Sequence, residues 1–117
     1  MMWNFEKFEN QIAAVDDEGN TISYGELQLL EKKLKSQCKR GLCVNLCTNS
    51  IGSLSGYAAM INVGLVPIML SADMDHELCE ELIRLYQPEY LWIRNNLRDE
   101  FGYLEFLLGD YNYLLLK

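Results

Sequence analysis

Thr21-Ile22-Ser23-Tyr24-Gly25-Glu26-Leu27 is the stretch on which the reading of this chain turns. A Gly19-Asn20 turn leads into a short strand, and Ser23 then opens a helix whose fourth residue is Glu26. That spacing is a capping box: the Ser23 hydroxyl accepts from the Glu26 amide, and the Glu26 carboxylate reaches back to the Ser23 amide. Strand therefore gives way to helix at a defined residue. The helix runs from Tyr24 to about Gln37, with Tyr24, Leu27, Leu30 and Leu34 as its buried stripe and Glu31 and Lys35 as an outward i,i+4 pair.

The same alternation continues downstream. Leu42 to Cys47 reads as a central strand and Ser50 to Val63 as a second helix. In that helix Gly52, Gly56, Ala58 and Ala59 are small enough to let it lie close to a sheet. A Gly52/Gly56 membrane-dimer motif is opposed by Ser50, Ser53 and Ser55. Gly64 should end this helix in a left-handed conformation. Val66 to Leu70 is a continuous apolar strand. Asp75 to Tyr86 is a third helix with Leu78, Cys79, Leu82, Ile83 and Tyr86 inward, capped by Asp73 or Asp75 and stopped by Pro88. Tyr90 to Ile93 is a buried strand, and Asn95 to Phe101 a short helix or turn. Tyr103 to Leu108 and Tyr111 to Leu116 are two final strands flanking Gly109-Asp110, and this Leu- and Tyr-rich tail is expected to present an unpaired edge. Upstream, Ile12 to Val15 and Thr21 to Ser23 make a small hairpin in which Gly19 supplies positive φ. The expectation is an α/β fold: a three-layer open, mostly parallel sheet with helices on both faces and an N-terminal hairpin, in one domain over residues 1–117.

Composition narrows the function classes. Ten Lys+Arg against seventeen Asp+Glu give a net charge of −7. A nucleic-acid partner would require clustered cations, so none is expected. The one basic cluster, Lys32, Lys33, Lys35, Lys39 and Arg40, falls at a helix C-terminus, where cations complement the dipole. Cys38, Cys43, Cys47 and Cys79 form no Cys-x-x-Cys pair. Cys43 and Cys47 share a strand face at roughly 13 Å, too far for a disulfide. They read as buried small hydrophobes in a reducing cytosol, and no metal site is expected. Glu6, Lys7 and Glu9 oppose a secretory signal in Met1 to Asn10. Gly56 to Leu70, broken by Asn62 and Pro67, falls short of the about 20 residues a membrane span needs. A soluble, cytoplasmic protein without a membrane span is the expectation.

Candidate chemistry is sparse. Thr48-Asn49-Ser50 stands where a parallel strand yields to a helix, the place where open sheets bind ligands and helix amides favour anions, so these three are the candidate ligand-binding residues. The same residues are also ordinary helix caps. Gly52-Ser53-Leu54-Ser55-Gly56 lacks the lysine of a phosphate grip. His76 stands alone on an acidic helix, without an orienting partner at readable spacing. Asp16-Asp17-Glu18 invites comparison with the acidic start of a receiver domain, but Arg94, not lysine, follows the last buried strand, and a hairpin turn explains the acids better. No catalytic residue is assigned.

Two motifs carry a family resemblance. Ile22-Ser23-Tyr24-Gly25-Glu26-Leu27 resembles the Leu-Thr-Tyr-x-Glu-Leu of the AMP-forming acyl-adenylating enzymes, and Gly64-Leu65-Val66-Pro67-Ile68 resembles their Ala-Gly-x-x-x-Val-Pro-Leu. In the second the proline comes earlier, and Ser71-Ala72-Asp73 replaces the usual acidic end. The family comprises acyl-CoA synthetases, D-alanine–carrier-protein ligases and peptide-synthetase adenylation domains. Its members use ATP and magnesium to make acyl-AMP and pass the acyl group to CoA or a carrier-protein thiol. The resemblance implies that residues 1–117 equal the first part of the large N-terminal domain of such a ligase. The Ser/Thr/Gly-rich loop ending in lysine is absent from the sequence. The implied role is therefore a non-catalytic scaffold fragment, inactive alone and without cofactor, whose partner is the remainder of the ligase and which self-associates in isolation. CoA or an acyl carrier protein would be the partner of the full enzyme. The alternative is a stand-alone interaction or ligand-binding module of the same fold.

Overall fold

The computed structural model describes residues 3–117, so Met1 and Met2 of the Met1 to Asn10 stretch lie outside the described residues. A 3-10 turn at Glu6–Phe8 precedes a two-stranded antiparallel hairpin of β1 (Ile12–Val15) and β2 (Thr21–Ser23), with Gly19 at φ +80° in its turn. Then follow α1 (Tyr24–Gln37), β3 (Leu42–Cys47), α2 (Ile51–Asn62), β4 (Val66–Ser71), α3 (His76–Tyr86), β5 (Tyr90–Arg94), β6 (Phe106–Asp110) and β7 (Tyr113–Leu116), with a second 3-10 turn at Asn95–Leu97.

The capping box forms as its spacing dictates. Ser23 Oγ accepts from the Glu26 amide at 3.1 Å, and Glu26 Oε1 accepts from the Ser23 amide at 3.1 Å. Tyr111 Oη donates to the other Glu26 oxygen at 2.5 Å, which ties the start of α1 to the far end of the chain. At the other end of α2, Gly64 adopts φ +85°, a conformation that costs glycine nothing.

The five-stranded sheet has the order β4-β3-β5-β7-β6. β3 pairs in parallel with both β4 and β5, while β7 pairs antiparallel with β5 and with β6. The expectation of a mostly parallel sheet is corrected to a mixed one. The cause is the β6–β7 connection: Tyr111 and Asn112 both adopt positive φ (50° and 63°). Such a pair makes a two-residue hairpin loop, which only antiparallel strands can use. The turn therefore falls at Tyr111-Asn112, and Gly109-Asp110 belongs to β6.

Period-two alternation sorts the strands into two cores. Cys43, Tyr90, Trp92, Tyr113 and Leu115 face Leu30 and Leu34 of α1 and Ala59 and Met60 of α2. Val44, Leu46, Leu91, Ile93 and Leu116 face Cys79 and Ile83 of α3. Helices thus cover both faces. A third cluster, with Phe5, Ile22, Leu27 and Ile51 at its centre, seats the hairpin on α1 and α2.

Two further expectations are corrected by this packing. Glu31 does not pair outward with Lys35; it is only 8% exposed, and its Oε2 accepts from Asn62 Nδ2 at 3.4 Å in the α1–α2 contact. On α3, Cys79 and Ile83 are buried, but Leu78 and Tyr86 are exposed, because a single helix on this face meets the sheet along a narrow stripe. The apolar strand expected at Val66 to Leu70 forms as β4, at the sheet edge and only half covered. The tail does present an unpaired edge, and that edge is β6, while β7 sits inside the sheet with Tyr113, Leu115 and Leu116 buried.

Candidate functional site

The parallel part of the sheet ends at the junction of β3 and α2, and this junction holds Thr48, Asn49 and Ser50 together. The structure binds all three into the fold. Tyr113, buried on β7, places its hydroxyl 2.6 Å from Ser53 Oγ, 2.8 Å from Thr48 Oγ1 and 3.2 Å from the Leu46 carbonyl. The Thr48 amide donates to Ser53 Oγ at 2.8 Å and to the Tyr113 hydroxyl at 3.2 Å. Ser50 is the α2 N-cap, yet its side chain makes no capping bond; its hydroxyl lies 2.8 Å from Thr48 Oγ1 instead. Local capping by Ser50 is therefore corrected to a hydroxyl chain running Ser50, Thr48, Tyr113, Ser53.

The hairpin turn stands beside the start of α2, across one hollow from Ile51. Asp16, in the hairpin turn, accepts from the amides of Glu18 (3.0 Å) and Asn20 (2.9 Å) and from Asn20 Nδ2 (3.2 Å). Desolvation pushes this carboxyl upward, but the hydrogen bonds from Asn20 and Glu18 outweigh it and hold the acid below its ordinary value. Next to it, Asn49 Nδ2 donates to Asp17 Oδ2 at 2.9 Å. The acids of the hairpin thus dock on the very helix end that a free anion would use.

Two hollows border the junction, of about 260 and 310 Å³, the larger shared with Val15, Leu54, Tyr57 and Met69. The smaller is walled by Thr48, Asn49, Ser50 and Tyr111, with Arg94 as its cation against Asp16 and Glu18. Convergent positive charge, which a polyphosphate needs, is not assembled on these walls. A third hollow, of about 440 Å³, is apolar and lies away from the junction, between the N-terminal segment and α2, with Trp3, Phe5, Phe8, Tyr24, Leu54 and Tyr57 among its walls.

The remaining reactive groups are placed elsewhere. His76 Nε2 lies 3.3 Å from Glu80 Oε1 and 4.0 Å from Glu100 Oε2, with its ring stacked 5.2 Å from Phe101, half-exposed on α3. All four cysteines are free thiols. Burial pushes the Cys38 thiol up to about 11 and those of Cys43, Cys47 and Cys79 upward as well, so none is poised as a nucleophile. Among the described residues no group of His, Cys, Asp and Glu is arranged to hold a metal ion, and no helix is long and apolar enough to cross a membrane.

Sequence reading found Thr48, Asn49 and Ser50 but missed Tyr113, Ser53 and Asp16, which organise them. Asp16 had a local signal, an Asp four residues before Asn20 across a Gly turn. Tyr113 had none, since its partners, on β3, on α2 and between them, stand some sixty positions away in the chain.

No family model and no curated protein matches the chain. The membership in the AMP-forming acyl-adenylating enzymes suggested by the two motifs is corrected on that finding. Both motifs mark a strand or helix boundary, a feature of fold that does not carry a family with it. Among solved structures the chain is similar to the luciferase-like enzyme from the nonluminescent Zophobas morio mealworm, with a TM-score of 0.62 and 16% identity over 79% of this chain and 24% of that one. The two share an α/β fold. This chain spans about a quarter of the length of that enzyme.

Proposed function

We propose that the chain is a non-catalytic scaffold, the sheet unit on which the remainder of a larger enzyme is assembled, with ATP-dependent acyl transfer lying outside it. One observation carries this reading: the strand-to-helix junction where such a fold would take a ligand is closed by the Tyr113 hydroxyl, with the hairpin's Asp17 bound to Asn49 beside it. The fold likeness supports it, since a unit of this size makes up a quarter of a longer enzyme. In chemical terms the unit supplies shape, not charge: α2 is held flat on the sheet and the hairpin is pinned across its end. ATP, magnesium, and a CoA or carrier-protein thiol would meet residues outside this chain.

The apolar hollow beside Trp3 and Tyr57 favours a second reading, a stand-alone module that binds an apolar ligand. Pyrophosphate release and fluorescence separate the two. The scaffold reading expects no pyrophosphate from ATP with any of a panel of carboxylic acids, and no saturable change in tryptophan emission with an apolar probe such as anilinonaphthalene sulfonate. Pyrophosphate release would overturn it. Saturable probe binding that Tyr57→Ala abolishes would favour the module.

A further inference from the structure

β4 closes the parallel side of the sheet, and its two sides have different partners. The Val66 amide donates to the Gly41 carbonyl at 2.9 Å and the Ala72 amide to the Cys47 carbonyl at 2.9 Å, so the even-numbered residues make the ladder to β3. Backbone groups of successive strand residues point to opposite sides. Pro67, Met69 and Ser71 therefore turn theirs to the open edge. Pro67 offers a carbonyl and no amide. Met69 offers both. Ser71 offers its amide, while its carbonyl already accepts from the Met74 amide at 3.2 Å.

We propose that this edge pairs with the same edge of a second copy of the chain, antiparallel, about a two-fold axis through Met69. In that register the two Met69 residues exchange both their backbone bonds, and each Ser71 amide meets the Pro67 carbonyl of the other copy. The amide that Pro67 lacks falls opposite the Ser71 carbonyl that Met74 has already taken. No donor or acceptor at these positions is left over. A shift of register or a parallel approach loses this match, which makes Pro67 a selector of one partner and one register.

The side chains agree with the backbone. Val66 to Ser71 carries no charge, whereas exposed edges are usually blunted by lysine, bulges or cover. Met69 is 45% exposed and shares a hollow of about 310 Å³ with Val15, Leu54 and Tyr57 on one side and the junction residues Thr48 and Ser50 on the other. The two-fold sets these shoulders side by side on the α2 face. On the α3 face it brings Ile68 of each copy beside Leu70 of the other. The opposite edge is built differently: β6 is bulged between Phe106 and Leu108, carries Asp110, and has the Arg98 guanidinium 5.4 Å over the Phe106 ring.

The pairing stands apart from the scaffold reading, and sedimentation equilibrium of the full chain over a wide concentration range tests it. The mass should rise from 13.6 kDa toward twice that value. Met69→Pro, which removes an amide that β3 does not use, and Met69→Lys, which sets like charges on the axis, should each weaken association at least about tenfold, the weight of two lost backbone bonds. Circular dichroism should show both variants folded, and Met69→Lys keeps the test alive if the proline variant is not. Phe106→Lys on β6 should leave association unchanged. Met69→Cys should give a disulfide joining position 69 of two copies, since paired α-carbons about 5.5 Å apart suit that bond. A constant 13.6 kDa mass, or association that survives both Met69→Pro and Met69→Lys, overturns the proposal.

Discussion

Gly56 lies directly against the indole of Trp92: a β-carbon built on Gly56 would stand 2.3 Å from Trp92 Nε1. One turn earlier, the Gly52 carbonyl accepts from that same Nε1 at 2.9 Å, and a β-carbon on Gly52 would meet the Tyr113 ring at 2.3 Å. Trp92 and Tyr113 are themselves stacked, with centroids 5.6 Å apart. Two glycines one turn apart therefore let α2 rest on an aromatic floor laid by two neighbouring strands.

Gly56→Ala should destabilise the fold by about 1–3 kcal/mol, because the added methyl meets a buried indole with nowhere to retreat. Chemical denaturation monitored through tryptophan emission reads the effect. A stability unchanged from the parent would mean that α2 does not lie this close to Trp92.

Tyr113→Phe should cost about 1–3 kcal/mol, since Thr48, Ser53 and the Leu46 carbonyl each lose the hydroxyl they share. The ring and its stacking on Trp92 are kept, so the loss belongs to the hydroxyl alone. Amide hydrogen exchange at Thr48 should quicken in the variant, and protection equal to the parent would remove Tyr113 from the centre of the junction.

Ser23→Ala should lower stability by about 1 kcal/mol through loss of the cap. A pH dependence accompanies it. The bond from Tyr111, followed by that from the Ser23 amide, holds the Glu26 carboxyl below its ordinary 4.5. A depressed carboxyl stabilises the fold above its unfolded value, and that contribution is lost as pH falls through the folded one. Asp16, also depressed, acts in the same direction. The denaturation midpoint should therefore stay level above pH 4.5 and decline below it, and Glu26→Gln should flatten the decline. A midpoint that rises on acidification contradicts both assignments.

What was legible in the sequence was local. The Ser23-x-x-Glu26 box and the Leu27, Leu30, Leu34 stripe set α1 at Tyr24–Gln37, and Gly64 marks the end of α2 as its neighbours imply. What escaped depends on distant partners. Tyr111-Asn112 carries no glycine, so the Gly109-Asp110 pair drew the turn away from the residues that make it. Glu31 looks like any solvated helix residue until Asn62, on another helix, is seen against it. At the junction, spacing singled out Thr48, Asn49 and Ser50, but their neighbours Asp16 and Tyr113 come from a hairpin turn and from the last strand. Whether a helix end is open or filled is a tertiary fact.

The central claim is that this helix end is filled, and titration of the isotope-labelled chain with ATP and magnesium tests it most directly. Amide resonances report on the junction residue by residue. The account predicts that the amides of Thr48 to Ser53 show no saturable shift up to millimolar nucleotide, because Ser53 and Tyr113 already hold the Thr48 amide, Asp17 stands against Asn49, and the net charge of −7 repels the ligand. Saturable shifts centred on Thr48, Asn49 and Ser50 would contradict it and make the junction a nucleotide site.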